Sequence, residues 1–528
     1  IEYHLALGDT DPAQIHFTVW FESGTIPEVG YRDLEREVHE LTRSWPEQLV
    51  AELSAVVAPE DAARLVSDWA SRFPEYYATS VVVNVAAADI RRLDALAAGD
   101  RESTVGIQNE DPVEGQERLT RIALYRKYGK LPLSQLVSAL ENLGLTVVEE
   151  MPTRMEWPAG YFIHDFGVLG PDGVPLDLEA IGPLVEEALE AVWVDGGETD
   201  DLDRLIVVAG LRRDQVEILR AYRTYWRRVA PVFTVGYVND TLVQYPEIAA
   251  DLVRYFEQRF DPDREDADPG SAAAAISGRL DDVPSIEQDR ILRTLLRLIE
   301  ATLRTNWFVP DRTCLALKLR SEAVPDAPRP HPMAEIFVLS PEVEGIHLRG
   351  GMVARGGIRW STRREDYRTE VLDLMKAQVT KNAVIVPTGA KGGFVLRTQP
   401  AGPEELRAEV ERCYRIFIGG LLDVTDSLAG GSVVRPERVR AHDGDDPYLV
   451  VAADKGTAAF SDVANAIALG RGFWLGDAFA SGGSSGYDHK VLGITARGAW
   501  TSLERHFLEV GLDPASDTFT VVGIGDMS

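Results

Sequence analysis

The chain has 528 residues, enough for about three to five domains at roughly 100–200 residues each. It is 45% hydrophobic and 26% charged, an ordinary globular composition that excludes overall disorder. Its 84 acidic residues against 54 basic ones leave a formal charge of −30, which disfavours nucleic acid and anionic membrane surfaces as partners.

The only cysteines are Cys314 and Cys413, and they form no CxxC pair, so neither a disulfide framework nor a cysteine zinc site is expected. No apolar stretch reaches the roughly 18–20 residues that cross a bilayer, and the N-terminus carries no signal-peptide pattern. A cytoplasmic protein with no metal, no membrane and no nucleic-acid partner is expected. The chain opens on Ile1 and stops at Ser528 inside a glycine turn, so it is expected to be a piece of a longer protein.

In chain order, Ile15, Phe17, Val19 and Phe21 alternate as in a half-buried strand, and Leu34, Val38 and Leu41 then take helical spacing. This predicts a small α+β unit over 1–105. A second unit, 106–200, begins with a strand through Ile122 and Leu124. A helix follows from near Ser134, with Leu136, Leu140 and Leu143 on one face and Gly144 as its stop, and then strands at 145–149 and 160–168. That β-α-β-β order is most of a ferredoxin-like split unit, which either binds a small regulator or is purely structural. Residues 201–308 read as helical, with Leu219, Tyr222, Trp226 and Val229 on one face and Ile248, Leu252, Tyr255 and Phe256 on another. The acidic stretch 261–270 reads as a solvated loop, with metal binding as the lesser alternative. Ser285 and Gln288 form a capping-box pattern ahead of Ile291, Leu295 and Ile299.

From about Pro310 glycine-rich connections alternate with strands and helices, which predicts an α/β domain over 309–516 on a largely parallel sheet. Residues 351–397 hold nine basic residues against four acids, a local excess of five positive charges that implies a small anionic ligand. A helix capped by Thr362 and Glu365 runs toward Lys381, and the apolar strand 383–386 leads into a predicted flexible loop, 387–393, carrying Lys391. The loop lacks the Gly-Lys-Ser/Thr ending of a phosphate-binding P-loop. A second strand, 448–453, ends on Asp454. Lys391 and Asp454 would make an acid–base pair if both strand ends share a cleft; a structural ion pair is the other reading. The last strand, 519–522, opens a Gly-x-Gly turn at Gly523 and Gly525, read either as the start of a dinucleotide-binding domain over 517–528 or as an ordinary tight turn.

The segments 355–361 (RGGIRWS), 381–387 (KNAVIVP), 390–394 (AKGGF), 452–457 (AADKGT), 485–490 (SGYDHK), 493–498 (GITARG) and 523–528 (GIGDMS) together resemble the large, NAD-specific glutamate dehydrogenases of bacteria. The resemblance is densest from Leu303 to Ser528. It implies ACT-like regulatory domains and helical motifs before an α/β catalytic domain, and a truncated Rossmann-like domain at the end. By the same resemblance Lys391 activates water on an iminium intermediate, and Asp454 moves the amine proton. Lys381 holds the substrate α-carboxylate, and Gly356 and Gly357 let the ligand approach the backbone. Small glutamate dehydrogenases place a lysine where this chain has Arg355, so a role for Arg355 on the distal carboxylate departs from their pattern; Arg359 contributes field to the same site or is a surface arginine. Thr495 resembles the threonine near the nicotinamide, and Gly523, Gly525, Asp526 and Ser528 belong to the cofactor turn. The loop ahead of Thr495 is out of register with the small enzymes, so Lys490 is given no role, and His489 is a structural histidine or a proton shuttle.

The implied reaction is oxidative deamination of L-glutamate to 2-oxoglutarate and ammonium with hydride transfer to NAD, in a homo-oligomer with a small-molecule effector at the ACT-like units. NAD over NADP rests on the resemblance, because the acidic residue that would read the ribose lies beyond Ser528. The chain by itself is expected to lack turnover. Two other readings stand beside this one: a related amino-acid dehydrogenase with an apolar side-chain pocket, and a non-catalytic amino-acid sensor.

Overall fold

The computed structural model describes residues 2–6, 14–18, 30–110, 118–155, 160–264, 269–381, 388–453, 460–475 and 492–522. The chain divides into two compact units. The first comprises Ile1–Gly106, Ala123–Lys130 and Met151–Asp165, and the second Ile107–Ile122, Leu131–Glu150 and Phe166–Ser528.

The chain begins with strands β1 (Glu2–Ala6) and β2 (Gln14–Thr18), paired antiparallel with Leu5 opposite Ile15. Helix α1 (Tyr31–Leu41) forms where the spacing of apolar residues predicts it, yet Leu34 and Val38 are about half exposed. The α+β unit expected over 1–105 is instead helical between 45 and 98, in α2 (Trp45–Leu53), α3 (Pro59–Trp69), α4 (Glu75–Ser80) and α5 (Val83–Ala98). Local signals explain the helices. Ser44 and Glu47 make a reciprocal capping box with Pro46 in the first turn of α2, and Pro59 opens α3. Leu49, Leu53, Leu65, Trp69, Phe73, Ile90 and Leu93 then bury one core with Ala123, Tyr125, Met155 and Ile163.

Inside that core Asp89 accepts hydrogen bonds from Tyr77 and, at 2.6 Å, from Tyr125. Burial pushes its carboxyl up to about 6, against the two tyrosine hydrogen bonds that favour the anion. A carboxyl raised on folding stabilises most when it is protonated, so its contribution is complete below about pH 4 and lost as pH rises through about 6. Wild type should therefore lose stability relative to Asp89→Asn between those limits, by on the order of 3 kcal/mol, in urea titrations of both proteins. Parallel pH profiles would contradict this.

Strands β3 (Ser103–Asn109), β4 (Thr120–Lys127), β5 (Thr146–Met155) and β6 (Tyr161–Leu169) form a four-stranded sheet in the order β3-β4-β6-β5. Helix α6 (Leu133–Asn142) joins β4 to β5, which gives the β-α-β-β succession read from the sequence. Helix α7 (Gly182–Trp193) follows. The middle is helical: α8 (Arg204–Ala209), α9 (Arg213–Val229), α10 (Val235–Gln244), α11 (Pro246–Phe260), α12 (Pro269–Leu280) and α13 (Ile286–Ala301). Leu219, Tyr222, Trp226, Leu252 and Phe256 are all buried, as the spacing predicts, and the Ser285 hydroxyl caps α13 by accepting from the Gln288 backbone N–H.

The remaining strands are β7 (Thr302–Thr305), β8 (Leu315–Leu319), β9 (Ala334–Leu339), β10 (Val343–Arg349), β11 (Arg355–Trp360) and β12 (Ala390–Leu396), then the small pair β13 (Ser427–Ala429) and β14 (Ser432–Val434), and β15 (Val450–Ala453). Seven of them form one sheet in the order β15-β11-β12-β10-β9-β8-β7. The sheet is not largely parallel. Only β15, β11 and β12 run parallel, while β12-β10-β9-β8-β7 are antiparallel throughout. Connection length decides this: three residues, 340–342, join β9 to β10, which allows only a hairpin, whereas β11 reaches β12 through helix α14 (Tyr367–Lys381). Helix α15 (Pro403–Asp423) covers the opposite face, where Phe417 and Ile418 join Val338, Ile358 and Phe394 in a second core together with α16 (Ser461–Gly470). Helix α17 (Ile494–Val510) follows. No described helix is long and apolar enough to cross a membrane, and no described group of three or more His, Cys, Asp or Glu could hold a metal ion.

Candidate active site

The two faces of this sheet differ in chemistry. Side chains alternate along a strand, and β12 pairs with β11 with Ile358 opposite Gly392 and Arg359 opposite Gly393. Arg355, Gly357 and Arg359 of β11 therefore share a face with Lys391 and Gly393 of β12, and α14 covers it. A Cβ at Gly393 would stand 2.5 Å from Val371 of that helix. Ile358 and Phe394 point the other way, into the core beneath α15.

Lys391 is 4% exposed and stands opposite Leu348 of β10. It lies in β12 itself, at the strand's N-terminal end, rather than in a flexible loop at the carboxyl end of a preceding strand. The glycines that read as a loop are close-packing positions: a Cβ at Gly392 would stand 2.9 Å from Ile358, and one at Gly393 would meet α14. Gly356 is likewise constrained, since a Cβ there would lie 1.4 Å from the Ala390 carbonyl oxygen. The close approach of strand β12 thus requires glycine at 356.

Arg359 donates from Nη1 to Glu370 of α14 at 2.8 Å, and the Ser361 hydroxyl donates to the other oxygen of that carboxylate at 2.6 Å. Burial alone would raise the Glu370 carboxyl, but these two donors hold it below its ordinary value. Arg359 thus fastens α14 to β11, while Arg355 is exposed at the start of β11. The positive excess read in 351–397 is largely neutralised by ion pairs: Arg359 with Glu370, Arg363 with Asp366, Arg368 with Glu335, Lys376 with Asp373 and Arg397 with Glu198.

Lys381 is the last residue of α14 and Thr495 lies in α17, but their side chains are outside the described set. Asp454, His489, Lys490, Gly523, Gly525, Asp526 and Ser528 lie outside the described residues, as does the strand expected at 383–386. The strand expected before Asp454 is present as β15, next to β11 with Gly357 opposite Ala452.

Sequence reasoning missed three charged clusters that fix these elements. Glu335 of β9, fully buried, receives Arg368 of α14 at 2.6 and 3.1 Å and the Tyr225 hydroxyl of α9 at 3.0 Å. Glu344 of β10 receives Arg228 of α9 at 2.6 and 3.0 Å and the Tyr367 hydroxyl at 3.1 Å. Together they hold the first turn of α14 against the sheet. On the other face Arg304 bonds Asp426 and Asp443, Lys318 bonds Asp443 and Asp446, and Arg349 bonds Asp446 and the Tyr448 carbonyl two residues before β15. His347 shares this face. Burial, reinforced by Arg349, pushes its imidazole down to about 3, so it stays neutral and does not exchange protons near pH 7. In the sequence the one trace of them is a single charged residue within each of the otherwise apolar strands β8 (Lys318) and β9 (Glu335), which names no partner.

Burial likewise pushes the Cys314 and Cys413 thiols up to about 12; both are free and inert. A cavity of about 280 Å³ lined by Arg213, Glu217, Arg312 and Arg397 contains none of the site residues named above.

Residues 275–528 match the family described as "Bacterial NAD-glutamate dehydrogenase, catalytic domain". Three further glutamate dehydrogenase segments match ahead of it: helical motif 3 over 197–262, the ACT3 domain over 105–181 and helical motif 2 over 52–96. The chain is 44% identical, over 98% of its length, to the "NAD-specific glutamate dehydrogenase" of Pseudomonas aeruginosa, and covers 33% of that protein. Proteins of the same description from Halomonas elongata and Mycobacterium tuberculosis are each 42% identical over the whole chain, which covers 33% and 34% of them. The chain thus spans about a third of the length of these relatives.

Proposed function

Because the chain belongs to the family of the bacterial NAD-specific glutamate dehydrogenases, we propose that it forms the substrate side of a site for oxidative deamination of L-glutamate to 2-oxoglutarate and ammonium, with NAD as hydride acceptor. The observation that carries this reading is Lys391, a buried lysine fixed in a strand, level with Gly357 and on the face that carries Arg355. NAD, when bound, would supply the redox chemistry as acceptor of a hydride. The chain's own residues supply position and charge. Lys391 orients the water that attacks the substrate iminium carbon and takes up its proton, and Asp454 receives the proton of the substrate amine. Lys381 pairs with the α-carboxylate and Arg355 with the distal carboxylate, where its longer, planar group replaces a lysine of the small enzymes. Arg359 is a positioning residue, holding α14 through Glu370.

Thr495, Gly523, Gly525, Asp526 and Ser528 remain the candidates to hold the cofactor. Homo-oligomeric assembly, a cytoplasmic location and a small-molecule effector at the ACT-like segment belong to the same reading and rest on family membership alone.

The test is NADH formation by the natural protein that carries this chain, offered L-glutamate, L-leucine or L-phenylalanine. Glutamate should be preferred by at least about 10-fold in kcat/KM, because an apolar side chain cannot form the charge-assisted pair that the distal carboxylate makes with Arg355. Preference for leucine or phenylalanine would replace this reading with the apolar-pocket dehydrogenase. Glutamate binding without NADH formation would favour a sensor.

A further inference from the structure

The cavity of about 280 Å³ lies between the start of α9, the turn before β8, the β9–β10 hairpin and Arg397, which directly follows β12. Its charged groups fall into two sets. Arg397 is paired with Glu198, and Arg220 with Asp200 at 2.9 Å and Asp203 at 2.7 Å, so each of these five side chains has a charged partner. The second set is not satisfied from within. Arg312 rests its guanidinium 4.1 Å from the centre of the Trp307 ring and, among the described residues, makes no hydrogen bond or ion pair. Arg213 donates from Nη2 to the Glu198 carbonyl, but its Nη1, like Nε of Arg220, is buried without an acceptor. Glu217 also receives no hydrogen bond or ion pair among the described residues.

Both signs of charge thus stand half-buried side by side without direct partners among the described residues, an arrangement that water or a ligand must complete. The titration shifts agree with this. Burial lowers Arg312 and raises Glu217, in each case against the opposite charges nearby. The stack on Trp307 fixes the guanidinium plane and leaves its N–H edge available for a carboxylate. A simple anion would satisfy the arginines but face Glu217; a ligand with a donor beside its carboxylate satisfies both.

We propose that this cavity binds a small carboxylate carrying a hydrogen-bond donor on the adjacent carbon, an α-amino or α-hydroxy acid, with its carboxylate on Arg312 and Arg213 and its donor on Glu217. The site shares no residue with the proposed deamination site, and its existence does not depend on that activity.

Calorimetric titration of the natural protein tests this with two isosteric series: L-alanine, L-lactate and propionate, then L-norvaline, L-2-hydroxyvalerate and valerate, with inorganic phosphate alongside. At least one amino or hydroxy acid should bind saturably, and its plain carboxylate at least about tenfold more weakly. Whether the amino or the hydroxy member leads identifies the donor. Arg312→Ala should weaken that binding at least about tenfold. The isosteric Glu217→Gln should narrow the gap between the donor-bearing ligand and its plain carboxylate, while Lys391→Ala should leave both affinities unchanged. The proposal is overturned if no member of either series binds, if propionate, valerate or phosphate binds as tightly, if a folded Arg312→Ala and Glu217→Gln both bind normally, or if Lys391→Ala abolishes the signal.

Discussion

Replacing Asp446 by alanine is expected to lower the stability of the sheet-bearing unit by about 3–5 kcal/mol, the cost of leaving buried cations without their carboxylate. Asp446 is 3% exposed and bonds Lys318 at 2.7 Å and Arg349 closely; both cations are themselves almost fully buried. Arg349 would keep only the Tyr448 carbonyl, and Lys318 only Asp443, which Arg304 already shares. Burial would raise the Asp446 carboxyl, but Arg349 and Lys318 hold it below its ordinary value. A carboxyl lowered on folding stabilises above its unfolded value, so this contribution is present above about pH 4 and fades as acid carries pH down through the folded value. The reference is Glu411→Ala, whose exposed pair with Arg415 should be worth less than about 1 kcal/mol. Urea midpoints of the two variants at pH 7 decide the matter. Equal midpoints would mean that the buried charges are hydrated or otherwise compensated.

This cluster also marks where reading the sequence stops. Helices α9 and α11 were visible because apolar residues recur at helical spacing, and Leu219, Tyr222, Trp226, Leu252 and Phe256 are buried at that period. Strands β8, β9 and β10 are buried on both faces, so Lys318, Glu335 and Glu344 break no alternation that could flag them. Their partners Asp443, Arg368 and Arg228 lie far away in sequence, and no local spacing rule connects them.

The glycines misled in a specific way. At 389–393 they looked like a loop, and in the sheet Gly392 and Gly393 make room for Ile358 and Val371. Strand direction was misjudged because the glycine-rich texture says nothing about which connections are too short to cross over. At α1 the helical period held, but helix formation and burial are separate outcomes: Leu34 and Val38 stay about half exposed. Lys391, Gly357 and Arg355, singled out by motif resemblance, lie on one face of adjacent strands, and Arg359 lies with them, fastened to Glu370.

The largest effect on activity is expected at Lys391. A buried lysine in a fixed strand has few ways to be replaced: no other cation of β12 shares its face, and Arg359 is held by Glu370. A positioned proton-transfer group contributes about 10²–10⁴-fold to rate, so Lys391→Ala should reduce kcat by that range while the neighbouring Leu348, Gly357 and α14 hold the strand in register. The measurement is glutamate-dependent NADH formation by the natural protein and by its Lys391→Ala variant, each first shown to unfold at a similar urea midpoint. The account predicts a folded variant whose kcat has fallen at least about 10²-fold. A folded variant that turns over glutamate at the wild-type rate would remove Lys391 from the chemistry and contradict the placement of the site on this face.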